Sequence, residues 1–556
     1  MGGPQRKYSI GVDVGTSSAR AALFDWDGHI KATVARSLQT CKPRPGYYEQ
    51  SSEDIWIACC EAVQGAIASA GDISVQDIKG IGFDATCSLV ALDEGFQPVS
   101  ISPSKATQWN VIMWMDHRAE AEAEEMSATG HTVLQRTGGK ISPEMSAAKI
   151  VWLYRHMPEA YKTATTLMEL PDFLTFKATG NPARSLNSLA CKWTFAEGDG
   201  FNDSFWRAVG MDDLVDTKYA RCLGSQKVTG VGEALVNGLT EAAAEQMGLA
   251  DCAGMPVGAA VIDAYAGAIG TLGVTLDGET APEVHSVQNR MAAICGTSSC
   301  HIALSAKHNF VPGVWGPYTN ILLPDFHVAE GGQSITGALL TYIIRTHPAY
   351  SLVDASTSSS SFVQLNEKIA LLSESQSLRF SAMMTKDMHL TPDFHGNRSP
   401  LADPTLRGVL VGCEMDVSLD ALARTYYAAL LALGYGTRQI IDTLNSNGYT
   451  VDTLFLSGGM VQNDLFVKSL ADTTGCTVVL PRETDAVLLG AAILGAAAAE
   501  GGTDRNALWK AMVRMSSAGR VIKPCTGSEA EFHQKKYEVF KEIYSFQKKA
   551  KHIMAA

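Results

Sequence analysis

A four-residue turn, Gly-Thr-Ser-Ser, occurs twice in the chain, at residues 15–18 and 296–299. Each copy lies between two short runs of β-branched and small apolar residues. This pattern predicts a strand, a tight turn and a second strand. Because the same segment recurs in both halves of 556 residues, the sequence indicates two related domains. Each domain would then offer one glycine hairpin to a shared ligand.

Along the N-terminal half, predicted strands alternate with predicted helices, which is typical of α/β proteins. Residues 19–25 could form a short helix by propensity, but a meander of strands with turns at 15–18 and 25–28 is favoured. A helix over 51–70, capped by Ser52, and a strand over 78–83 that ends at Asp84 follow.

The rest of the chain adds two predictions about its organisation. Residues 486–499 are rich in Ala and Gly and too short to span a bilayer, so they predict a buried helix. A polar, turn-rich stretch near 270–290 predicts the domain boundary. The domains would then cover residues 1–275 and 276–556.

Composition excludes some partners. The net charge of −13 argues against nucleic acid and against an anionic membrane, because both require a basic surface. It permits ATP, since backbone N–H groups and one or two cations hold a small anion. Twelve scattered cysteines without a CxxC pair, and no apolar signal core near the N-terminus, predict reduced thiols and a cytoplasmic protein. The oligomeric state is left open, and a homo-oligomer is compatible with the sequence.

The two turns are the candidate cradle for phosphate. Glycine permits the positive φ that turns successive N–H groups inward, and hydroxyls add donors. A plain hairpin turn explains one copy equally well, whereas two copies favour phosphate. Neither GxxxxGK[ST] nor GxGxxG occurs. The residues assigned to ATP phosphates are Gly15, Thr16, Ser17, Gly296, Thr297 and Ser298.

Two aspartates follow predicted buried strands. Asp13 lies two residues before the first turn, where a carboxylate is costly unless something compensates its desolvation. Mg²⁺ bound to ATP phosphates would do so, and a hydrogen bond to the turn itself is the alternative. Asp263 follows a predicted strand over 255–262, at the end where ligands of α/β proteins bind. It could accept the proton of an attacking alcohol, or it could be a helix N-cap. The small residues of 264–273 would let a ligand approach it.

A third glycine turn is the candidate adenine site. Residues 453–457 predict a strand that runs into Gly458 and Gly459 and then into a helix containing Asn463. Bare glycines offer a flat surface to an adenine ring. A tight strand–helix connection is the alternative.

Taken in order, these motifs resemble those of the FGGY carbohydrate kinases, a family with the fold of actin, hexokinase and the heat-shock chaperones. Residues 11–20 look like its first phosphate motif, which adds Arg20 to the ATP site, and 295–299 look like its second. Residues 456–463 look like its adenosine motif. The resemblance implies an α/β fold of two actin-like domains around a cleft, with ATP and Mg²⁺ as cofactors.

The sugar side resembles the ribulokinase branch. Residues 84–88, Asp-Ala-Thr-Cys-Ser, stand where glycerol kinases carry an Arg-Glu pair, and their Thr-Cys-Ser run looks like that of eukaryotic D-ribulokinases. The segment 114–118 resembles the family's Trp-x-Asp-x-Arg, which lines the sugar cleft, and 394–400 also look like this branch, without an assigned contact. The sugar contacts implied by the resemblance are Ala85, Thr86, Cys87, Asp116, Lys192, Asp263 and Glu330.

The resemblance implies ATP-dependent phosphorylation of a ketopentose, D-ribulose first, at its 5-hydroxyl. Asp263 would be the catalytic base, and Asp13 and Asp263 would lie at the metal. A kinase of L-ribulose, D-xylulose or a pentitol such as ribitol is one alternative. An actin-like ATPase without sugar kinase activity is the other, because a fold does not fix a function.

Overall fold

The computed structural model describes residues 6–224, 227–276, 278, 280–353, 360–501 and 506–555. The strands are β1 (Tyr8–Val14), β2 (Ser18–Asp25), β3 (Ile30–Ser37), β4 (Glu49–Gln50), β5 (Ile78–Ala85), β6 (Leu89–Leu92), β7 (Val111–Ile112), β8 (Thr166–Glu169), β9 (Arg184–Ser185), β10 (Val228–Thr229), β11 (Val261–Ile262), β12 (Arg290–Cys295), β13 (Ser299–Ser305), β14 (Trp315–Thr319), β15 (His327–Gln333), β16 (His389–Thr391), β17 (Val409–Val411), β18 (Thr453–Ser457), β19 (Thr477–Pro481) and β20 (Ala518–Ile522).

The helices alternate with these strands along the chain. They are α1 (Ser52–Ser69), α2 (Glu120–Ala128), α3 (Ser146–His156), α4 (Pro158–Thr163), α5 (Leu170–Thr179), α6 (Leu186–Lys192), α7 (Asp203–Ala208), α8 (Asp212–Asp216), α9 (Ala220–Leu223), α10 (Glu241–Gln246), α11 (Asp263–Leu272), α12 (Gly337–Thr346), α13 (Ser361–Ser375), α14 (Leu419–Ser446), α15 (Asp464–Thr474), α16 (Ala486–Glu500), α17 (Ala507–Met515) and α18 (Ser528–Ala555). No helix in these described ranges combines the length and the hydropathy that a membrane crossing requires.

The chain forms two compact units, each built from three segments. Unit 1 contains Met1–Val287, Leu304–Ala329 and Pro481–Ala518. Unit 2 contains Gln288–Ala303, Glu330–Leu480 and Gly519–Ala556.

The central sheet of unit 1 has the strand order β11-β5-β1-β2-β3. Strands β1 and β2 form an antiparallel hairpin around the first turn, and β5 and β11 continue the sheet in parallel with β1. The parallel strands β1, β5 and β11 therefore all end at one edge of the sheet. The meander predicted for the first strands, with its turns at 15–18 and 25–28, is confirmed.

Helix α16 packs closely against this sheet, as predicted for residues 486–499. A Cβ added at Gly11 of β1 would lie 2.1 Å from the carbonyl oxygen of Leu488, and one at Gly82 of β5 would lie 2.0 Å from that of Ala491. These strand glycines therefore let helix and sheet backbones touch.

The small residues after Asp263 also allow close packing, in this case between α11 and α16. A Cβ at Gly270 of α11 would lie 2.0 Å from the carbonyl oxygen of Ala486, and Ala264–Leu272 are all buried. The prediction that this run gives room to a ligand is wrong, because α16 occupies the space.

The central strands of unit 2 follow the order β15-β13-β12-β18-β19. Here β12 and β13 form the antiparallel hairpin around the second turn, and β18 and β19 continue in parallel with β12. Both units thus contain a glycine hairpin followed by two parallel strands, as the repeated turn predicted. The strand over 453–457 and its turn into a helix are confirmed as β18 and α15.

Two further predictions need correction. Helix α1 is capped by Ser51 rather than Ser52, because the Ser51 hydroxyl accepts the N–H of Asp54 at 3.3 Å. The strand predicted over 255–262 is reduced to β11. Upstream of β11 the described chain pairs with its neighbours only through two isolated bridges, Ile81 with Val257 and Ala234 with Gly258, so no continuous ladder forms.

Candidate active site

Three carboxylates lie where the parallel strands of unit 1 end. Asp13 is the penultimate residue of β1 and stands opposite Asp84 of β5 in the parallel register. On the other side of β5, Val261 of β11 stands opposite Asp84. Asp263 is the first residue after β11. The negative charges of Asp13 and Asp263 both act on Asp84. The sheet thus gathers aspartates that are far apart in sequence.

Arg20 of β2 balances part of this negative charge. Its Nε and Nη2 both donate to Asp13 Oδ2, at 2.8 and 2.5 Å. Its Nη1 donates to Asp485 Oδ1 at 3.1 Å, just before α16 begins. The hairpin register places Arg20 directly opposite Asp13. Arg20 therefore binds only one oxygen of Asp13. Asp13 itself is buried, at 2% exposure.

Asp84 is the site residue to which the sequence reasoning gave no role. It is fully buried, and in the described part of the chain no hydrogen-bond donor reaches either of its carboxylate oxygens. Burial raises the pKa of Asp84 well above its usual range, and the charges of Asp13 and Asp263 raise it further. A buried carboxyl without donors is costly, and such groups concentrate at functional sites.

We expect stability to depend on pH through Asp84. The pKa of Asp84 is higher in the folded protein than in the unfolded chain, so its stabilising contribution is fully present below the unfolded pKa. It is lost as pH rises through the folded pKa. The Asp84→Asn variant carries no proton to lose, so its melting temperature should fall less than that of the wild type between about pH 5 and pH 8.

Thermal unfolding followed by circular dichroism over that range measures the effect. Asp72→Asn, at an exposed position of the same unit, is the matched control. Equal pH dependence in Asp84→Asn and the wild type would exclude Asp84 as the source.

Asp263 is the first residue of α11 and not its N-cap, which is Ile262. Its Oδ1 accepts the N–H of Ala264 at 2.7 Å, at the helix end that favours negative charge. The side chain is half-buried. Buried Asn187 fixes the approach to the helix, since its Oδ1 accepts the N–H of Ile262 at 3.0 Å and its Nδ2 donates to the carbonyl of Ile321.

The first glycine turn leaves its side chains outside the core. Thr16 and Ser17 are exposed, and the N–H of Gly15 donates to the carbonyl of Ser18 at 3.0 Å. Trp114 Nε1 donates to Thr16 Oγ1 at 3.1 Å, and Gln50 Nε2 donates to the Thr16 carbonyl at 3.0 Å. These contacts tie the turn to the sheet formed by β4, β7, β6 and β8.

The positive φ predicted for the turn glycines is wrong, since neither Gly15 nor Gly296 has one. A Cβ at Gly15 would meet only the Ser18 carbonyl at 3.7 Å, and one at Gly296 only the Ser298 carbonyl at 3.9 Å. The direct hydrogen bond across each turn closes it without a left-handed residue. What glycine adds at these positions is open space beside the backbone N–H groups.

The predicted sugar contacts of unit 1 are mostly buried. Ala85 and Asp116 are 0% exposed, and Lys192 is 3% exposed. Lys192 ends α6, and its Nζ lies 4.8 Å from the ring centroid of Trp315, a cation–π contact that the sequence did not predict. Thr86 is 5% and Cys87 8% exposed. Burial raises the pKa of Cys87 to about 12, which keeps its thiol protonated.

Asp116 belongs to a buried ionic network. Its Oδ1 accepts Arg118 Nε and its Oδ2 accepts Arg118 Nη2, both at 2.8 Å. Arg118 Nη2 also donates to Glu49 Oε1 at 2.8 Å. The Tyr48 N–H donates to Asp116 Oδ2 at 2.6 Å. In this structure the carboxylate of Asp116 shapes the loop, and its contact with sugar stays a prediction.

In unit 2 the second turn and the Gly458 turn are adjacent. Ile294 pairs with Ser457, so β12 and β18 end side by side. Gly458 has φ +87°, and a Cβ there would lie 2.5 Å from the Cys295 carbonyl oxygen, which requires glycine. At Gly459 a Cβ would meet nothing within 4 Å. The carbonyls of Gly296 and Thr297 accept the N–H groups of Gly337 and Thr336, at 3.0 and 2.7 Å.

Two further residues predicted from sequence lie in unit 2. Asn463 is 4% exposed, caps α15, and donates from Nδ2 to the Tyr426 hydroxyl at 2.7 Å. Glu330 of β15 accepts Arg398 Nη2 at 2.7 Å and is 3% exposed. Arg398 lies in the segment to which the sequence reasoning assigned no contact. The structure shows that it holds Glu330.

Residues 8–203 match the FGGY family of carbohydrate kinases, N-terminal domain, and residues 291–499 match its C-terminal domain. The chain belongs to this family. A relative from Danio rerio, an FGGY carbohydrate kinase domain-containing protein, is 44% identical over 98% of this chain and 99% of its own. The D-ribulokinase of Saccharomyces cerevisiae is 38% identical over 89% of this chain and 72% of its own.

The FGGY kinase has the two-domain actin-like fold that the motifs predicted. The crystal structure of xylulose kinase from Rhodospirillum rubrum matches it with a TM-score of 0.76 at 21% identity, covering 98% of this chain and all of that one. As a carbohydrate kinase the protein binds a sugar and ATP. The roles of individual site residues remain predictions.

Proposed function

We propose that this kinase transfers the γ-phosphate of ATP to the 5-hydroxyl of D-ribulose, giving D-ribulose 5-phosphate. One observation carries the proposal: Asp13, Asp84 and Asp263 converge at one edge of the unit 1 sheet, with Arg20 bound to Asp13. Phosphoryl transfer depends on positioning and charge stabilisation, and this edge supplies both an acceptor for a proton and fixed charges.

D-ribulose as the sugar rests on the comparisons and on one sequence motif. The yeast relative at 38% identity is a D-ribulokinase. The Thr86-Cys87-Ser88 run resembles the same branch. In this proposal residues 1–275 supply the sugar site and residues 276–556 supply most of the ATP site.

In the proposed phosphoryl transfer, each site residue has a separate role. Asp263, at the start of α11, takes the proton of the attacking hydroxyl on its carboxylate. Lys192 hydrogen-bonds the sugar, and Trp315 beneath its ammonium fixes that side chain. Within unit 2, Arg398 orients the carboxylate of Glu330, which the family resemblance assigns to the sugar. The turn at Gly15 and the turn at Gly296 bind phosphate oxygens, and Gly458 and Gly459 face the adenine.

The carboxylates fit a magnesium ion. Mg²⁺ prefers oxygen ligands and retains several waters. Arg20 takes only one oxygen of Asp13, and both oxygens of Asp84 lack donors among the described residues. Asp13 and Asp263 would hold the ion. When bound, it would neutralise charge on the transferring phosphates.

Steady-state ADP release over a panel of acceptors tests the proposal. D-ribulose should give the highest kcat/KM among D-ribulose, L-ribulose, D-xylulose, ribitol and glycerol, and EDTA should remove the activity. A higher kcat/KM with another acceptor would replace D-ribulose as the substrate. ADP release that no sugar stimulates would favour the actin-like ATPase instead.

A further inference from the structure

A second cluster of chemically active side chains lies in unit 2 and contains no residue assigned to sugar or ATP. Asp472 of α15, Cys525 in the connection between β20 and α18, and His533 of α18 each present one donor atom, and these atoms all lie within 4.8 Å of one another. Three residues up to 61 positions apart in the sequence thus meet at one point. No local sequence motif predicts the cluster.

We propose that Asp472, Cys525 and His533 bind a zinc ion. A carboxylate, a thiolate and an imidazole are the three ligand types that Zn²⁺ takes in proteins, at about 2.0–2.3 Å from the metal. Those bond lengths place tetrahedral ligands about 3.3–3.8 Å apart, so two donor atoms at the upper limit of 4.8 Å must approach by about 1.0–1.5 Å. Cys525 is only partly buried and lies on a loop, which gives it the freedom to do so.

The hydrogen bonds around the cluster leave the metal-binding atoms available. Asp472 Oδ1 accepts both the N–H of Cys525, at 2.7 Å, and Lys468 Nζ, at 2.5 Å. Oδ2 accepts no N–H from the described residues. The Cys525 thiol hydrogen-bonds to the Asp472 side chain, so the ion must displace that thiol proton. The Cys525 sulfur lies 4.0 Å from the Asp472 carbonyl, a weak contact.

His533 is oriented from outside the cluster. Its Nδ1 lies 2.8 Å from the hydroxyl of Tyr435 on α14, and the ring is 2% exposed. Metal-binding histidines almost always donate their second nitrogen to such an oxygen, which fixes the ring and the tautomer. In the proposed site, Nδ1–H donates to the Tyr435 hydroxyl and Nε2 binds the ion.

The charges are compatible with a divalent cation. A thiolate and a carboxylate together neutralise Zn²⁺, and the charge of Glu529 also acts on Asp472. Lys468 opposes a cation, but its side chain is 49% exposed, so solvent screens it. Binding breaks the S–H bond of Cys525 and releases its proton to water. Water fills the fourth position, because Cys525 is partly open to solvent.

Metal binding by the full-length kinase, without nucleotide or sugar, tests the site. Zn²⁺ titrated by calorimetry should bind saturably with a stoichiometry of one. Co²⁺ should give the visible absorption of a tetrahedral ion and a near-ultraviolet thiolate-to-metal band, and Zn²⁺ should bleach both. Cys525→Ser and His533→Asn should each weaken binding at least about 10–100-fold, and Tyr435→Phe should weaken it about 10-fold.

Cys413→Ser, at an exposed free cysteine, is the matched control and should bind like the wild type. Circular dichroism verifies the fold of each variant, and His533→Asn serves if Cys525→Ser does not fold. The proposal is overturned if the wild type shows no thiolate-to-cobalt band. It is equally overturned if Cys525→Ser and His533→Asn, both folded, retain wild-type affinity, because the metal then binds elsewhere.

Discussion

Replacing Asp263 by Asn should lower kcat for sugar phosphorylation by about 10²–10⁴-fold, the usual effect of losing a general base. The amide keeps the size of the side chain but cannot take the proton of the attacking hydroxyl. Asp263→Ala should abolish transfer. ATP binding should stay nearly intact in both variants, because in this account the turns at Gly15, Gly296 and Gly458 hold the nucleotide and Asp13 remains as a ligand of the magnesium ion.

Single-turnover phosphoryl transfer and equilibrium ATP binding separate the two effects. Asp251→Asn, which removes an exposed carboxylate from the same unit, is the control and should match the wild type. Wild-type turnover in Asp263→Asn would remove Asp263 from its proposed role. A loss of ATP affinity as large as the loss of kcat would make it a nucleotide ligand instead.

Replacing Arg118 by Met should produce the largest loss of stability of any single change considered for this kinase. Arg118 and both its carboxylate partners, Glu49 and Asp116, have fully buried side chains. Removing the guanidinium leaves two carboxylates buried without their cation, which costs about 3–5 kcal/mol. It also removes cation–π contacts with Tyr47 at 4.3 Å and Trp152 at 5.0 Å.

Chemical denaturation measures this change as a lower denaturant midpoint. Arg136→Met is the matched control, because Arg136 pairs at 3.0 Å with Asp199, whose side chain is 77% exposed. A pair at the surface contributes about 0–1 kcal/mol, so the control should lose little. Equal losses in the two variants would show that the buried network contributes no more than a surface pair.

The strands and turns that frame the site were predictable because their signals are local. Short β-branched runs on either side of a Gly-Thr-Ser-Ser turn specify a hairpin wherever they occur, and the repeat exposed the relation between the two units. Residues 486–499 were predictable as a buried helix from apolarity alone. The resemblance to the family motifs then identified the candidate site residues in the sequence.

The contacts between distant site residues could not be predicted, because they depend on which strands and helices become neighbours in the fold. Asp84 and Asp263 are separated by more than 170 residues, and only the β5–β11 pairing brings their charges together. The hold of Asn187 on Ile262, and of Arg398 on Glu330, are likewise long-range contacts. The small residues of α11 were misread for the same reason, since sequence does not show that α16 fills the space beside them.

The central claim is that a carboxylate at the strand edge of unit 1 prepares a sugar hydroxyl to receive phosphate from ATP. The most direct measurement is ³¹P and ¹H NMR of the products formed from ATP and D-ribulose by the wild type and by Asp263→Asn. The account predicts D-ribulose 5-phosphate in equal amount to ADP with the wild type, and almost none with the variant. ADP without sugar phosphate, or phosphate on another oxygen, would contradict it.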